Sequence, residues 1–273
     1  MRSVCQIALL VTFVSVVHAS PITTSSGSAL VLYIGYPTGS IQQYTTTGTA
    51  GPTLALATLG DIPESVTILN GQVYVGDGSG RVNLINPSTG AGTPVFDTSN
   101  AGLSGLGSYN GTLLAVNNTP GTVYQYSTTG TFLKSITLSS APAGLPWSGL
   151  TSDNSTIYIG DYYSGLIYEY SSAGTLLGSL NTNLGAGLTV GSYDFANASI
   201  WATDATTGEV YDFSTAGVLL SSFAAGVEPF GVAVVPPSSG TPEPSSGALM
   251  FTGLAGSVLF MKLLRNRVYK RPR

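Results

Sequence analysis

Acidic and aromatic side chains supply most of the chemistry available to this 273-residue chain. The only cysteine is Cys5 and the only histidine is His18, so the residues beyond position 19 include neither type. Those residues therefore form no disulfide, Ser-His-Asp triad or zinc site of Cys and His, and they hold no cysteine nucleophile. Asp, Glu, Tyr and Trp remain, and they suit the binding of a sugar or of calcium, or the hydrolysis of a glycosidic bond.

Two sets of these residues lie in loops that we expect to meet at one end of the folded chain. Asp61, Glu64 and Glu228 lie in loops that lead into predicted strands, and paired carboxylates hydrolyse glycosidic bonds without histidine or cysteine. No acidic pair has a spacing typical of a catalytic site, so we predict a protein that is not an enzyme. The alternative is a carbohydrate-active hydrolase or lyase. The candidates for ligand binding are Tyr36, Asp77, Trp147, Asp161, Tyr162, Tyr163 and Asp204.

Three of those candidates have a competing structural interpretation. Asp77, Asp161 and Asp204 each end a short apolar stretch and precede a turn that contains glycine. An aspartate in that place accepts hydrogen bonds from backbone N–H groups and stabilises the turn. Because the residue recurs in successive repeats, we favour this structural role over a metal or acid–base site. Calcium is the one cofactor that the acidic residues suggest.

The elements that must position these residues repeat along the chain. Stretches of the type VYVGD recur at spacings of 41, 40, 44 and 43 residues, and they end at Tyr36, Asp77, Asn117, Asp161 and Asp204. Each is followed by a turn and a second alternating stretch, such as VYQY or IYEY, which is typical of short β-strands. A period of about 40–45 residues that holds four strands predicts an all-β protein with a β-propeller over residues 30–237.

The predicted number of blades is five, with six as the alternative. An inner strand precedes four of the repeats, as in ESVTIL from Glu64, whereas the first repeat has none. The spare stretch PFGVAVVP has the pattern of an inner strand and no repeat follows it. We therefore expect it to pair with the first repeat, so that the two chain ends close the ring and leave no open strand edge there.

The repeats resemble NHL repeats, in which P-x-G-V-A-V is followed by V-Y-V-A-D-x-x-N-x-R-I-x-x-F. The stretches EPFGVAVVP and QVYVGDGSGRVNLI carry the resemblance, which extends from Leu30 to Pro236. Most of the Asn and Arg of the pattern are missing, and Arg81 alone matches. The resemblance implies a propeller of a class that includes binding scaffolds, sensors and occasional enzymes.

The N-terminus has the pattern of a secretory signal peptide over residues 1–19. One basic residue precedes an apolar run, and Val17-His18-Ala19 fits the small-x-small rule for cleavage between Ala19 and Ser20 by signal peptidase. Residues 20–29 are a short lead into the first repeat. From Ser20 to Gly240 the chain has two basic and 12 acidic residues, a net charge of −10 that repels nucleic acid as a partner.

Three features follow one another at the C-terminus. A linker over residues 238–246 precedes an apolar segment over 247–264, which is long enough for a transmembrane helix, and a basic tail covers 265–273. Positive residues stay in the cytoplasm, so the tail is predicted inside and the repeats outside. A plain membrane anchor satisfies the same rules.

The same segment is similar to the PEP-CTERM sorting signal of Gram-negative bacteria. The matching features are Pro242, Glu243 and Pro244, the apolar stretch from Gly247 to Met261, and the basic cluster that starts at Lys262. The resemblance implies recognition and cleavage by an exosortase, in organisms that often make exopolysaccharide or biofilm. The sequence therefore predicts an exported binding or structural module of the cell envelope, outer surface or extracellular matrix, with a polysaccharide or a protein as its ligand.

Overall fold

The structure, a computed structural model, describes residues 31–56, 59, 61–98, 102–118, 121–141 and 147–235. These residues form strands and turns without any helix, so nothing in this part of the chain is a helix able to cross a membrane. The predicted signal peptide, lead, linker, transmembrane helix and tail lie outside the described residues. The all-β prediction is confirmed for the residues that are described.

The strands form five four-stranded antiparallel units in which neighbouring strands are hydrogen-bonded, and a parallel bridge joins the fourth and fifth units into one eight-stranded sheet. In the first unit the order is β20 (Phe230–Val234), β1 (Val31–Tyr36), β2 (Ser40–Thr45), β3 (Ala50–Ala55). The second unit is β4 (Pro63–Leu69), β5 (Gln72–Asp77), β6 (Arg81–Ile85), β7 (Gly92–Asp97), and the third is β8 (Leu103–Tyr109), β9 (Thr112–Asn117), β10 (Thr122–Tyr126), β11 (Phe132–Thr137). The fourth is β12 (Trp147–Ser152), β13 (Thr156–Asp161), β14 (Leu166–Ser171), β15 (Leu176–Asn181), and the fifth is β16 (Leu188–Asp194), β17 (Ser199–Asp204), β18 (Glu209–Ser214), β19 (Leu219–Ala224).

Burial changes systematically from the inner to the outer strand of a unit. The second strands, such as β5 and β13, are almost fully buried, whereas the outer strands β3 and β11 each bury one side chain, Leu54 and Ile136. Asn-Gly pairs close two of the hairpins between first and second strands, and Asn70 and Gly71 have φ values of 53° and 72° there. Positive φ at both residues is the requirement of a type I′ turn, which Asn-Gly meets.

The apolar core lies between units and not within them. Each of five buried clusters of the described residues combines side chains of two neighbouring units, as where Ile68 of the second unit joins Tyr33 of the first. The cluster that contains Ile34 and Trp201 likewise joins the first unit to the fifth. Because each unit needs its neighbours to bury its faces, stability comes from the assembled set.

The first strands of the units form a closed cycle of contacts. β4 contacts β8, β8 contacts β12, β12 contacts β16, β16 contacts β20, and β20 contacts β4. The approach is closest at Gly149, which has a φ of 74° and forms a parallel bridge with Val190. A methyl group on Gly149 would overlap the carbonyl oxygen of Val190. Only glycine therefore permits this contact between two backbones.

The two ends of the described chain pair with each other. β20 is antiparallel to β1, with Leu32 opposite Val234 and Tyr33 opposite Ala233. The predicted pairing of PFGVAVVP with the first repeat is confirmed. Val232 and Val234 are buried in the core between the fifth and first units, so this last strand contributes to the packing as well as to the sheet.

Candidate functional site

A cavity of about 370 Å³ lies where the first strands of the units begin. Each unit contributes at least one residue near the start of its first strand, and five of these residues are Glu64, Ser104, Ser148, Thr189 and Phe230. Trp147, at the start of β12, and the loop residues Asn118, Tyr162 and Tyr163 complete the described lining. The volume falls within the range of about 300–1,000 Å³ that is usual for small-molecule sites.

Irregular strand pairing places two of these side chains. Pro63 pairs with Asp77 and Ser65 with Gly76, so Glu64 is an extra residue in a β-bulge. Ser104 is the extra residue in the corresponding bulge of β8. Bulges redirect a side chain out of the regular alternation of a strand, and they are frequent next to binding sites.

Hydroxyl groups cover one part of the cavity wall. Ser148 Oγ and Thr189 Oγ1 lie 2.6 Å apart and share a hydrogen bond between the fourth and fifth units. Ser104 is only 7% exposed, and its Oγ has no hydrogen-bond partner among the described residues. A buried hydroxyl without a partner is costly, so a polar ligand group that reaches Ser104 is bound favourably.

Aromatic rings form another part of the wall, with very different exposure. Tyr163 is 61% exposed and packs edge-on against Tyr162, with ring centroids 5.5 Å apart. Trp147 is only 1% exposed and packs on Tyr170 in the core between the third and fourth units. Tyr163 therefore offers a ring face to a ligand, whereas Trp147 acts mainly as a rigid support.

Glu64 is the one carboxylate that lines the cavity within the described part of the chain. Burial raises the pKa of Glu64 above its ordinary value, and the nearby charge of Asp61 raises it further. A methyl group on Gly78 would lie 3.1 Å from Asp61 Oδ2 and 3.5 Å from Glu64 Oε1, so the two carboxylates stand over the same glycine. The sequence grouped Asp61, Glu64 and Glu228 together, and the structure brings the first two of these carboxylates close to each other.

The structure places the other predicted residues elsewhere. Glu228 is exposed at a φ of 52° and does not contribute to the described lining. Tyr36 is buried, and its hydroxyl lies 2.9 Å from that of Tyr44 and donates to the carbonyl oxygen of Ala225 at 2.5 Å. Tyr36 thus links the first and fifth units and is outside the cavity.

The three predicted aspartates are buried in turns. Asp77 Oδ1 accepts hydrogen bonds from the backbone N–H groups of Ser79 and Arg81, both at 3.1 Å. Asp161 and Asp204 accept equivalent bonds, from Tyr163 N at 3.0 Å and from Thr206 N at 2.8 Å. These contacts are the turn-stabilising role favoured from the sequence. None of the three aspartates is part of the described cavity lining.

Sequence reasoning missed Ser104, Asn118, Ser148, Thr189 and Phe230 as lining residues. Four of them could have been predicted weakly from the repeats, because they occupy corresponding places near the start of the aligned inner strands. Metal binding receives no support of this kind, since no three Asp, Glu, His or Cys side chains cluster around a common point in the described ranges.

Comparison with known proteins identifies the fold. No protein-family model matches the chain, and no curated protein matches it in sequence. A chain in the crystal structure of the Nidogen/Laminin complex is 14% identical with a TM-score of 0.52, over 76% of this chain and 98% of that chain. The described chain has a β-propeller fold.

Two bacterial enzymes are similar to this chain at lower TM-scores. Virginiamycin B lyase from Staphylococcus aureus is 12% identical with a TM-score of 0.44, over 70% of this chain and 64% of its own. Glutaminyl cyclase from Myxococcus xanthus is 17% identical with a TM-score of 0.46, over 63% and 69%. Identities this low carry no information about the activity of the present propeller.

Proposed function

We propose that the protein is an exported, five-bladed propeller that binds carbohydrate in its central cavity and acts as a binding or structural module without catalysis. The observation that carries this proposal is the lining of the cavity. Five first strands contribute one carboxylate, three hydroxyls and two aromatic rings, from Glu64, Ser104, Ser148, Thr189, Phe230 and Trp147.

This lining suits a sugar better than it suits an anionic or a purely apolar ligand. Sugars stack on exposed rings such as that of Tyr163 and exchange hydrogen bonds with hydroxyls and carboxylates. The basic residues among those described are Arg81 and Lys134, and neither lines the cavity. An anionic polymer such as nucleic acid therefore finds no positive partner there.

The count of five blades rests on the arrangement of the units. Five four-stranded units, a closed cycle of first strands and the pairing of β20 with β1 support a ring without an open seam. A sixth blade would have to be built from residues outside these units.

Ligand binding is tested with the purified full-length chain on an array of neutral and charged glycans. Tyr163→Ala removes the exposed ring, and Phe195→Ala is a matched control because Phe195 is 54% exposed and does not line the cavity. We expect binding that the Tyr163 variant weakens and the Phe195 variant leaves unchanged. Equal loss in both variants, or no glycan bound by the wild type, contradicts the proposal.

A hydrolase is the second candidate, and one observation favours it. Glu64 stands beside Asp61, and its pKa is raised by burial and by Asp61, as in a general acid next to a second carboxylate. Chromatography of glycans incubated with the full-length chain separates the two functions. Sugar release that disappears in Glu64→Gln would replace the binding module with an enzyme.

We also propose that the chain is sorted through its C-terminal PEP-CTERM signal, with signal peptidase and an exosortase as processing enzymes. The order of Pro242-Glu243-Pro244, an apolar segment and a basic tail supports this, together with the N-terminal signal pattern. Mass spectrometry of the protein from its native envelope is expected to find no peptide beyond the Pro-Glu-Pro region. Intact tail peptides in all of the mature material would leave only a membrane anchor.

A further inference from the structure

The acidic edge of the cavity lacks a positive partner. Asp61 and Glu64 stand over Gly78, and the one salt bridge among the described residues joins Arg81 to Asp97, at 3.2 Å. Lys134 lies opposite Gln125 on the outer strand of the third unit and is not among the lining residues. Two adjacent carboxylates that no described residue neutralises favour a cation at this edge.

The surroundings of Glu64 favour an organic cation over a metal ion. Calcium takes six to eight oxygen ligands, and the described residues contain no cluster of three or more acidic side chains that would supply the core of such a set. Phe230 and the exposed Tyr163 instead line the same cavity. Aromatic faces attract ammonium groups, an interaction that strengthens where water is excluded.

The hydroxyl-bearing part of the lining favours polar ligand groups without charge. Ser104 is buried with an Oγ that has no partner in the described structure, and Ser148 and Thr189 have hydroxyls that already bond to each other. Ligand hydroxyls satisfy such groups without a net charge. A ligand that combines an ammonium group with hydroxyls matches both parts of the lining.

We propose that the ligand of the cavity is an amino sugar with a free, protonated amine. Glu64 binds the ammonium group with help from Asp61, Tyr163 stacks on the sugar ring, and Ser104 bonds to a sugar hydroxyl. This inference rests on the proposed carbohydrate-binding function and narrows it to one class of sugar. N-acetylation removes the charge, so an acetylated sugar loses the charge-assisted hydrogen bond to Glu64.

The affinity for such a ligand depends on pH in a defined direction. The titratable groups next to Glu64 are Asp61, which stands over the same glycine, and Asp77, which pairs with Pro63 at the end of β5. The phenols of Tyr162 and Tyr163 line the same cavity. Affinity rises as pH rises through the elevated pKa of Glu64, because the carboxylate form binds the ammonium. It falls again at alkaline pH, where the amine of the sugar loses its proton.

Calorimetry on the full-length chain tests the inference with three trisaccharides that share the β-1,4 linkage. They consist of glucosamine, N-acetylglucosamine and glucose, and calcium chloride alone is a fourth probe. We expect the glucosamine trimer to bind about tenfold tighter than the other two sugars, as a charge-assisted hydrogen bond predicts. In Glu64→Gln that preference disappears, and in Asp61→Asn it weakens.

Glu169→Gln is the matched control, because burial also raises the pKa of Glu169 while its side chain is outside the described lining. It is expected to keep the wild-type preference. Equal binding of all three sugars overturns the amino-sugar inference and leaves the carbohydrate site intact. No binding of any sugar, or binding of calcium alone, overturns both. Circular dichroism of each variant separates a lost contact from a lost fold.

Discussion

The hydroxyl oxygens of Ser148 and Thr189 lie 2.6 Å apart, although 41 residues separate them along the chain. They belong to the first strands of neighbouring units, and both residues are buried. The contact therefore joins two units at the wall of the cavity. It ties the shape of the candidate site to the packing of the propeller.

This pair predicts a measurable coupling. Ser148→Ala or Thr189→Val alone deprives the remaining hydroxyl of this partner, and we expect each to lower the free energy of unfolding by about 1–3 kcal/mol. The double variant is expected to lose clearly less than the sum, because it leaves neither hydroxyl orphaned. Urea unfolding of the four proteins measures the difference. Strict additivity would mean that the hydrogen bond contributes nothing.

Gly149 predicts a large effect of a very small change. In Gly149→Ala the added methyl group meets the carbonyl oxygen of Val190 at a φ of 74°, so we expect a loss of about 3 kcal/mol or more, or failure to fold. Gly39→Ala is the matched control, because Gly39 has a φ of 75° with open space around it. Backbone strain alone costs about 1–2 kcal/mol there. Equal melting temperatures for the two variants would contradict the close contact.

Asp161 and Tyr163 are close in sequence and are expected to respond in opposite ways. Asp161→Asn replaces a buried carboxylate that accepts a hydrogen bond from Tyr163 N at 3.0 Å. Because the amide is a weaker acceptor, we expect the free energy of unfolding to fall by about 1–3 kcal/mol. Tyr163→Ala removes an exposed ring and is expected to weaken glycan binding with little loss of stability. Thermal melts and binding isotherms of both variants provide the test. A folded Asp161 variant that selectively loses binding would restore the aspartate as a ligand-binding residue.

Glu64 and Asp153 predict opposite dependences of stability on pH. The pKa of Glu64 is raised above 4.5 by burial and by Asp61, so its contribution to stability is present below pH 4.5 and lost as pH rises through the folded-state pKa. Glu64→Gln is therefore expected to be more stable than the wild type at pH 7. The difference is expected to vanish near pH 4.

The pH dependence that Asp153 gives to the stability has the opposite sign to that of Glu64. Its burial raises the pKa, but hydrogen bonds from Thr156, Ser155 and Tyr158 outweigh burial and hold the pKa below 3.8. Its contribution to stability is present above pH 3.8 and lost as pH falls through the folded-state pKa. Asp153→Asn should be destabilised at pH 7 and match the wild type at low pH. Denaturant titrations at several pH values measure both variants, and a common sign would refute the assignment.

We expect truncation from the C-terminus to be tolerated up to β20 and to destabilise the fold once β20 is removed. A chain that ends at Pro229 loses β20, whose Val232 and Val234 are buried against the first and fifth units. We expect that chain to aggregate or to lose its cooperative unfolding, because the first unit is left with an open edge and an exposed core. A chain that ends at Pro237 retains β20 and serves as the control. Similar melting of the two chains would argue against closure through this strand.

Local patterns predicted the strands and turns well, for an identifiable reason. Alternation of the VYVGD type and turns such as Asn70-Gly71 are properties of a few adjacent residues, and β5 indeed ends at Asp77. The role of Asp77 in stabilising its turn could also be predicted, because its hydrogen-bond donors Ser79 and Arg81 are only two and four residues away. The spare inner strand was recognisable because a repeat makes a missing copy visible.

The residues that line the cavity could not be predicted from the sequence in the same way. Glu64 and Ser104 line the cavity, and each is the extra residue of a β-bulge. A bulge interrupts the alternation of side chains along a strand, and that alternation is what predicts which face of the sheet a side chain lies on. Trp147 and Tyr163 look equally available in sequence, yet neighbouring units bury the first and leave the second exposed. Glu228 was grouped with Glu64 by loop type, yet of the two only Glu64 lines the described cavity.

By itself the sequence determined the all-β class, the repeat of four strands, the pairing of the chain ends and the acidic character of the body. The class and the strands follow from short-range alternation and turn chemistry, which act between residues close in the chain, and the acidic character follows from composition. The pairing of the chain ends follows from the repeat, in which the spare strand replaces a missing copy. The tertiary structure alone decided which side chains surround the cavity. Ser148 meets Thr189, and Glu64 shares a wall with Phe230, because five strands far apart in sequence pack side by side, and that register depends on long-range packing.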